Sequence, residues 1–274
     1  MQRAAASKIR AFQKEVWGYY RLHKRGFPWR KTKNPYRILV SEIMLQQTQA
    51  DRVVLKYKEF IKKFPNLRAL SKASLKSVLR AWQGLGYNRR AVHLKTIARE
   101  VTVRFGGKLP SEKEILMSSP GIGQSTAGAV RTFAFNKPEV FVETNIRTAF
   151  IHFFFPKKQK ILDSDISKIV EVALDRKNPR EWYWALMDYG AMLKKAHGNA
   201  AARRSAHYAR QSPFKGSSRE QRSKILKMIL GEKISTKKLL AKTGFSKQIL
   251  AHHLADLSKE GFIRRSGNYF IVSK

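Results

Sequence analysis

The 274-residue sequence carries 56 Lys and Arg against 19 Asp and Glu, a formal charge of +37, with 43% hydrophobic and 11% aromatic residues and no cysteine. That apolar content excludes a wholly disordered polymer, since buried surface can offset ordering entropy, and the length suits one large domain or two smaller ones. Zero Cys excludes disulfides, cysteine-ligated zinc, thiolate nucleophiles and cysteine-held iron–sulfur clusters. The cationic excess bears on partners rather than fold, and nucleic acid is the commonest polyanion that rewards it. The start Met1-Gln-Arg-Ala-Ala-Ala-Ser7 lacks a signal-peptide core, and no apolar run reaches membrane-spanning length. A cytoplasmic protein with no membrane partner is expected, nucleoid-associated if the source is bacterial or archaeal.

In chain order, Ile9, Phe12, Val16 and Tyr19 or Tyr20 recur at helical spacing behind Ser7, a candidate N-cap, and Gly26-Phe27-Pro28 ends that helix. Further helices are predicted over 36–47, 51–63, 74–82 and 88–105. Ser111-Glu-Lys-Glu114 has the form of a capping box opening a short helix through Met117. Helices then begin near Gln124, Thr144 and Ser164, and another covers 180–193. Few runs alternate with period two, so residues 1–195 read as an all-α domain. Residues 196–217 form a basic linker or irregular cap. Beyond them, helices over 219–230, 236–241 and 246–260 precede two β-like runs, 262–265 and 269–272, joined through Ser266-Gly267-Asn268. Three helices and a hairpin make residues 218–274 a winged helix-turn-helix.

The turn Pro120-Gly-Ile-Gly123 lies between a short helix and one starting at Gln124. Gly121 and Gly123 let backbone approach a ligand, and the exposed amides at the next helix start favour an anion such as a DNA phosphate. A tight interhelical turn with no ligand has the same sequence.

The motifs Phe27-Pro-Trp-Arg30, Asn34-Pro-Tyr36, Ser41-Glu-Ile-Met-Leu-Gln-Gln-Thr-Gln49, Gly84-Leu-Gly-Tyr87, Pro120-Gly-Ile-Gly123 and Ala185-Leu-Met-Asp-Tyr-Gly190 occur in this order. Together they resemble the MutY-type adenine DNA glycosylases, a branch of the helix-hairpin-helix superfamily that includes endonuclease III. The resemblance covers roughly residues 11–193, and 41–49 is its most specific part. It implies a helix-hairpin-helix DNA glycosylase domain acting in base excision repair.

Breaking an adenine–deoxyribose bond requires a proton for the departing base and stabilisation of an oxocarbenium-like sugar, which a protonated acid and an ionised carboxylate supply from opposite sides. Glu42 lies between Ile38-Leu39-Val40 and Ile43-Met44-Leu45, where partial burial raises a carboxyl pKa toward general-acid range. The resemblance gives it the proton-donor role; otherwise it is an exposed Glu on an amphipathic helix. The second carboxylate of the family is an Asp, and Glu143 of Val142-Glu-Thr-Asn-Ile-Arg147 stands in its place, one methylene longer. Glu143 either stabilises the sugar cation or caps a helix, and Asn145 matches an Asn that organises the site.

Where bifunctional relatives carry a Schiff-base Lys, this sequence has Ser125, so a monofunctional hydrolase is expected. The resemblance makes Gln46, Gln47 and Tyr87 the DNA-deforming set for base flipping, and places Trp29 beside the base pocket and Gly121, Gly123, Gln124 and Ser125 in the DNA-binding hairpin. Asp188 is expected to orient the hairpin helices. Two departures stand out. The cluster-binding cysteines that usually follow Ala185-Leu-Met-Asp188 are absent, so no cofactor is expected, and a winged helix occupies the place of the Nudix-like domain that reads 8-oxoguanine. In the winged helix, Lys247, Gln248, His252, His253, Arg264 and Arg265 are candidate DNA contacts, with a protein partner as the alternative, and Lys194, Lys195, Arg203 and Arg204 are candidate phosphate contacts. The expected activity is hydrolysis of mispaired adenine opposite G or 8-oxoguanine by a monomer on double-stranded DNA. The rivals are a thymine or uracil mismatch glycosylase and a non-catalytic DNA-binding regulator.

Overall fold

The computed structural model describes residues 2–210 and 212–273, the side chains of 2–5 excepted. The first elements are α1 (Gln2–His23), a 3-10 turn (Pro28–Lys31), α2 (Pro35–Leu45), α3 (Ala50–Lys63), α4 (Leu67–Lys72), α5 (Leu75–Trp82) and α6 (Arg89–Phe105). They are followed by α7 (Lys113–Met117), α8 (Gln124–Phe135), α9 (Thr144–Phe154), α10 (Asp163–Ala173), α11 (Pro179–His197) and α12 (Ala200–Arg203). The C-terminal segment forms α13 (Ser218–Gly231), β1 (Ile234–Ser235), α14 (Thr236–Thr243), α15 (Lys247–Lys259), β2 (Ile263–Ser266) and β3 (Tyr269–Val272). Among the described residues no helix is long and apolar enough to cross a membrane.

The chain groups into two compact units: Met1–Glu42 with Pro110–Arg210, and Ile43–Leu109 with Gln211–Lys274. In the first, Phe12 is fully buried, with its ring 4.8 Å from Phe150 and 6.1 Å from Trp182, so α1, α9 and α11 share one aromatic core. Helix α11 approaches α9 so closely that a Cβ on Gly190 would lie 2.1 Å from the Asn145 carbonyl oxygen. Glycine is there because only a hydrogen fits. The same contact pins the first turn of α9, which bears Glu143 and Asn145.

In the second unit, side chains cap the helix starts. Asn66, Ser74, Ser217, Ser235 and Ser246 accept from the backbone N–H groups of Ala69, Ser77, Glu220, Lys238 and Ile249. The C-terminal sheet has order β1-β3-β2, all antiparallel, and the Ser266↔Tyr269 pairing leaves Gly267 and Asn268 as a two-residue hairpin turn.

Several local expectations change. Ser7 is inside α1, which begins at Gln2. The capping box at Ser111 does not form: the Ser111 hydroxyl turns to the neighbouring Glu112 carboxylate at 3.4 Å, and α7 starts without a side-chain cap. Helix α4 escaped notice because its six residues span too few turns for a periodic signal, although Asn66 caps it and Leu67 and Leu70 are buried. Helix α11 runs on to His197, and α12 follows within the segment read as linker or cap. That segment is held down by the parallel bridge Ile161↔Ser205, by burial of Ala201 and Ala202, and by Arg204, which donates to the carbonyls of Phe155 and Ile151.

Replacing Gly190 with Ala should lower stability by roughly 1–3 kcal/mol, the usual range for overpacking a filled core. Thermal unfolding of the two proteins checks this; an unchanged midpoint would mean the α9–α11 contact is slack.

Candidate active site

Glu42 is near the end of α2, whose Ile38, Leu39, Val40, Ile43 and Met44 are buried at 0–2% exposure. The Glu42 residue is only partly covered, but its carboxyl is enclosed by protein. That enclosure, reinforced by the charge of Glu143 and opposed by Arg30, pushes its pKa up to about 8. At neutral pH this carboxyl therefore keeps its proton.

Arg30 belongs to the 3-10 turn of Phe27-Pro-Trp-Arg30, in which Trp29 is buried and stacked on Phe27 at 4.8 Å and 12°. The Arg30 guanidinium makes a two-pronged pair with Asp188, both contacts at 2.8 Å, and the same carboxylate accepts from the Arg25 side chain at 2.5 Å and its backbone N–H at 3.0 Å. Asp188 is 1% exposed. Its role corrects the sequence reading: it anchors Arg25 and Arg30 rather than the hairpin. Arg30 is a site residue that sequence reasoning missed, although it was in plain view inside the Phe27–Arg30 motif.

Glu143 is the N-cap of α9. Its Oε1 accepts from the backbone N–H groups of Asn145 and Ile146, each at 2.8 Å, and its Oε2 from the Asn145 side-chain amide at 3.4 Å. The capping reading of this residue holds, and the same bonds fix where its carboxylate points. Burial raises its pKa, while those backbone donors and the charges of Arg147 and Lys194 oppose the rise. Arg147 is itself fixed by two 2.7 Å contacts with Asp163. Glu42 thus feels the charge of Glu143 within one unit, and the two carboxyls distant in sequence share one electrostatic environment.

The hairpin joins α7 to α8 in the same unit. Leu116 and Ile122 are buried at 1% and 5% and anchor it, Gly121 has φ +77°, and Gly123 is the N-cap of α8. Gly121, Gly123 and Gln124 are exposed and Ser125 is half-buried beside them, so the α8 N-terminus presents its turn outward with no acidic residue in its first turn.

The remaining candidates belong to the other unit. Gln46 follows α2, Gln47 is exposed at φ +54°, and Tyr87 is 36% exposed at φ +46°. Left-handed backbone is uncommon for such side chains and needs surrounding structure to hold it. Arg90 supplies that hold. It is 7% exposed and donates to the carbonyls of Ile43 at 2.9 Å, Met44 at 2.8 Å, Leu85 at 3.2 Å and Gly86 at 3.1 Å, to Gln46, and to the Thr48 hydroxyl at 3.0 Å. Its fork closes the orphan carbonyls at the end of α2 and ties them to the Gly84–Tyr87 loop. Burial pulls the guanidinium down to about 10, still charged at neutral pH. Nothing in the sequence distinguished Arg90 from the other basic residues.

Some expected DNA contacts are elsewhere. His253 is 3% exposed and bonded to Gln221 at 2.8 Å, so it does not share the open face of Lys247, Gln248, His252, Arg264 and Arg265. Helical period accounts for this, as His253 is three residues from buried Leu250 and four from buried Leu257. Arg204 is spent on backbone carbonyls and Lys194 lies near Glu143, whereas Lys195 and Arg203 are exposed. The segment beyond α11, where the resemblance implies cluster cysteines, is filled by Ala201, Ala202 and Arg204, and without thiolates it does not fit an iron–sulfur cluster.

A carboxyl whose folded pKa is raised holds its proton longer than in the unfolded chain, so the stability of the wild-type protein should fall as pH rises from about 4.5 to about 8. Glu42→Gln removes this penalty. The variant should match the wild type near pH 5 and exceed it by roughly 2–4 kcal/mol at pH 9, measured by denaturant unfolding. A difference independent of pH would mean that the Glu42 carboxyl is well solvated.

Residues 40–173 match the model of the HhH-GPD superfamily of base excision DNA repair proteins. The chain is 36% identical over 176 residues to the adenine DNA glycosylase of Buchnera aphidicola subsp. Baizongia pistaciae, covering 64% of this chain and 50% of that protein. It is 35% identical over 179 residues to the adenine DNA glycosylase of Mycobacterium tuberculosis, 64% of this chain and 59% of the relative. The chain spans about half the length of the curated relatives it matches. Among solved structures, a thermostable thymine-DNA glycosylase aligns with a TM-score of 0.62 at 26% identity, over 69% of this chain and 88% of that one. An endonuclease III–DNA covalent intermediate shares the fold, with a TM-score of 0.57 at 18% identity, over 76% and 90% of the two chains. Residues 40–173, which hold the carboxyl pair and the outward-facing helical hairpin, are thus similar to the HhH-GPD superfamily of base excision DNA repair proteins.

Proposed function

We propose that this protein is a monofunctional adenine DNA glycosylase that hydrolyses the N-glycosidic bond of adenine mispaired with G or 8-oxoguanine in duplex DNA. The observation that carries this reading is the unequal carboxyl pair. Glu42 holds a proton at neutral pH and donates it to the departing adenine. Glu143, its Oε1 fixed by two backbone N–H groups, faces the positive charge that develops on the sugar. Asn145 steadies Oε2, and Arg30, immobilised by Asp188, sets how tightly Glu42 keeps its proton. Water then attacks the sugar. Ser125 has no amine for an imine, so an intact abasic strand is released.

On this reading, the α8 N-terminus with Gly121, Gly123 and Gln124 grips a backbone phosphate. Gln46, Gln47 and Tyr87 fill the space left in the stack, Trp29 borders the base pocket, and residues 218–274 act as a winged-helix accessory with Lys247, Gln248, His252, Arg264 and Arg265 toward duplex DNA. The protein acts as a monomer, and a protein partner on the winged helix is the alternative use of that module. A second reading, a thymine or uracil mismatch glycosylase, is favoured by one observation, the similarity to the solved thymine-DNA glycosylase.

Excision from duplexes bearing A opposite 8-oxoguanine, A opposite G, T opposite G and U opposite G separates the readings. Cleavage of the adenine duplexes is expected, and tight binding without cleavage of any would leave a DNA-binding regulator. Glu42→Gln should slow single-turnover excision about 100-fold or more while changing duplex affinity little. In the wild type the rate should be flat below about pH 8 and fall above it, as the acid form of Glu42 is lost. Duplex affinity should drop linearly on a log–log plot against salt, about one order per tenfold salt for each phosphate neutralised. A flat plot would assign the basic surface to another partner.

A further inference from the structure

Tyr87 is held at both ends within its unit. Its backbone carbonyl accepts from the Arg90 backbone N–H at 3.0 Å and from the Arg90 guanidinium at 3.4 Å, which fixes the left-handed turn at φ +46°. The phenol oxygen accepts from Arg219 at 2.9 Å, and the Arg219 guanidinium lies 5.7 Å from the ring centroid. Arg219 is the second residue of α13, the first helix of the C-terminal module, and its other nitrogen donates to the Ser212 carbonyl at 2.6 Å and hydroxyl at 3.1 Å. One planar fork therefore joins the linker segment, the winged-helix module and the tyrosine. The module is separately fastened to α5 by Arg80, which donates twice to the Leu230 carbonyl, at 2.7 and 3.2 Å.

Arg80 ties the module down through a backbone carbonyl, whereas the Arg219 bond ends on the tip of a side chain whose backbone is already fixed. The latter bond removes the freedom of the ring. We propose that Arg219 is a positioning residue for Tyr87, through which the winged-helix module holds the phenol ready to enter the base stack beside the extruded nucleotide. This rests on the proposed glycosylase activity. A ring already immobile loses less entropy on insertion, so extrusion of the base proceeds from a side chain that needs no rearrangement. The winged helix then serves lesion recognition from within the enzyme, whether or not its own open face meets DNA.

The test uses the full chain and a duplex with A opposite 8-oxoguanine for single-turnover excision, and the same duplex with 2-aminopurine at the target, whose fluorescence rises on unstacking. Arg219→Ala and Tyr87→Phe should each slow excision and unstacking about tenfold, in the range of a charge-assisted hydrogen bond, and the double variant should be no slower than either within about twofold. Arg80→Ala should lower the unfolding temperature and leave both rates unchanged. Arg219→Lys keeps the charge without the fork and should be as slow as Arg219→Ala. Multiplied losses in the double variant, a wild-type rate in Arg219→Ala, or full rescue by Arg219→Lys, which would make it a simple phosphate contact, each overturns the proposal. If the wild type excises no base at all, the glycosylase reading fails, and the 2-aminopurine signal still reports the Arg219–Tyr87 coupling by itself.

Discussion

Two carboxyls enclosed in one protein environment resist ionising together, because each charge must be stripped of water and then face the other. In this chain the conflict is resolved by unequal surroundings. Glu143 has two backbone N–H groups and the charges of Arg147 and Lys194 on its side, whereas Glu42 has the single opposing influence of Arg30. The proton therefore settles on Glu42. Any difference between the two carboxyls comes from their environments and not from residue type, since both are glutamates.

Much of the first unit serves that asymmetry. Asp188, almost wholly buried, pairs with Arg30 through both carboxylate oxygens and so fixes the cation whose charge opposes the rise in the Glu42 pKa. The absence of a side chain at Gly190 lets α11 reach the first turn of α9, where the donors to Glu143 originate. A glutamate in place of the shorter aspartate expected from relatives is accommodated by its own helix, as the longer arm curls onto the amides of Asn145 and Ile146. In the second unit a comparable economy holds Gln46, Gln47 and Tyr87: Arg90 gathers the open carbonyls of two neighbouring turns, and two bulky residues keep backbone angles that they would abandon if free.

In a chain without cysteine, the segment after α11 must be held in place by other means. Those means are ordinary packing and hydrogen bonding. Ala201 and Ala202 are buried, Ser205 pairs with Ile161, and Arg204 satisfies carbonyls at the end of α9. Metal ligation is thus unnecessary for ordering this part of the chain.

Helix positions were legible in the sequence wherever apolar period and cap residues coincided, as at Ser74 and Ser246, and so were the turn at Pro120–Gly123, the apolar setting of Glu42 and the helix start at Glu143, whose motifs are contiguous runs. Short elements such as α4 and β1 were not, because six residues or two complete too little of a period to register. Arg30, Arg90 and Arg219 are three among 56 basic residues, and nothing local separates them from solvated charge. Their importance arises from partners 158, 46 and 132 positions away in the chain, brought near only by folding. By itself the sequence determined composition, charge, helical class and the residue types available for proton transfer, which are properties of short segments. Which glutamate keeps the proton, and which arginines hold rather than bind, only the tertiary structure decided, because desolvation and ion pairing depend on everything that surrounds a group in space.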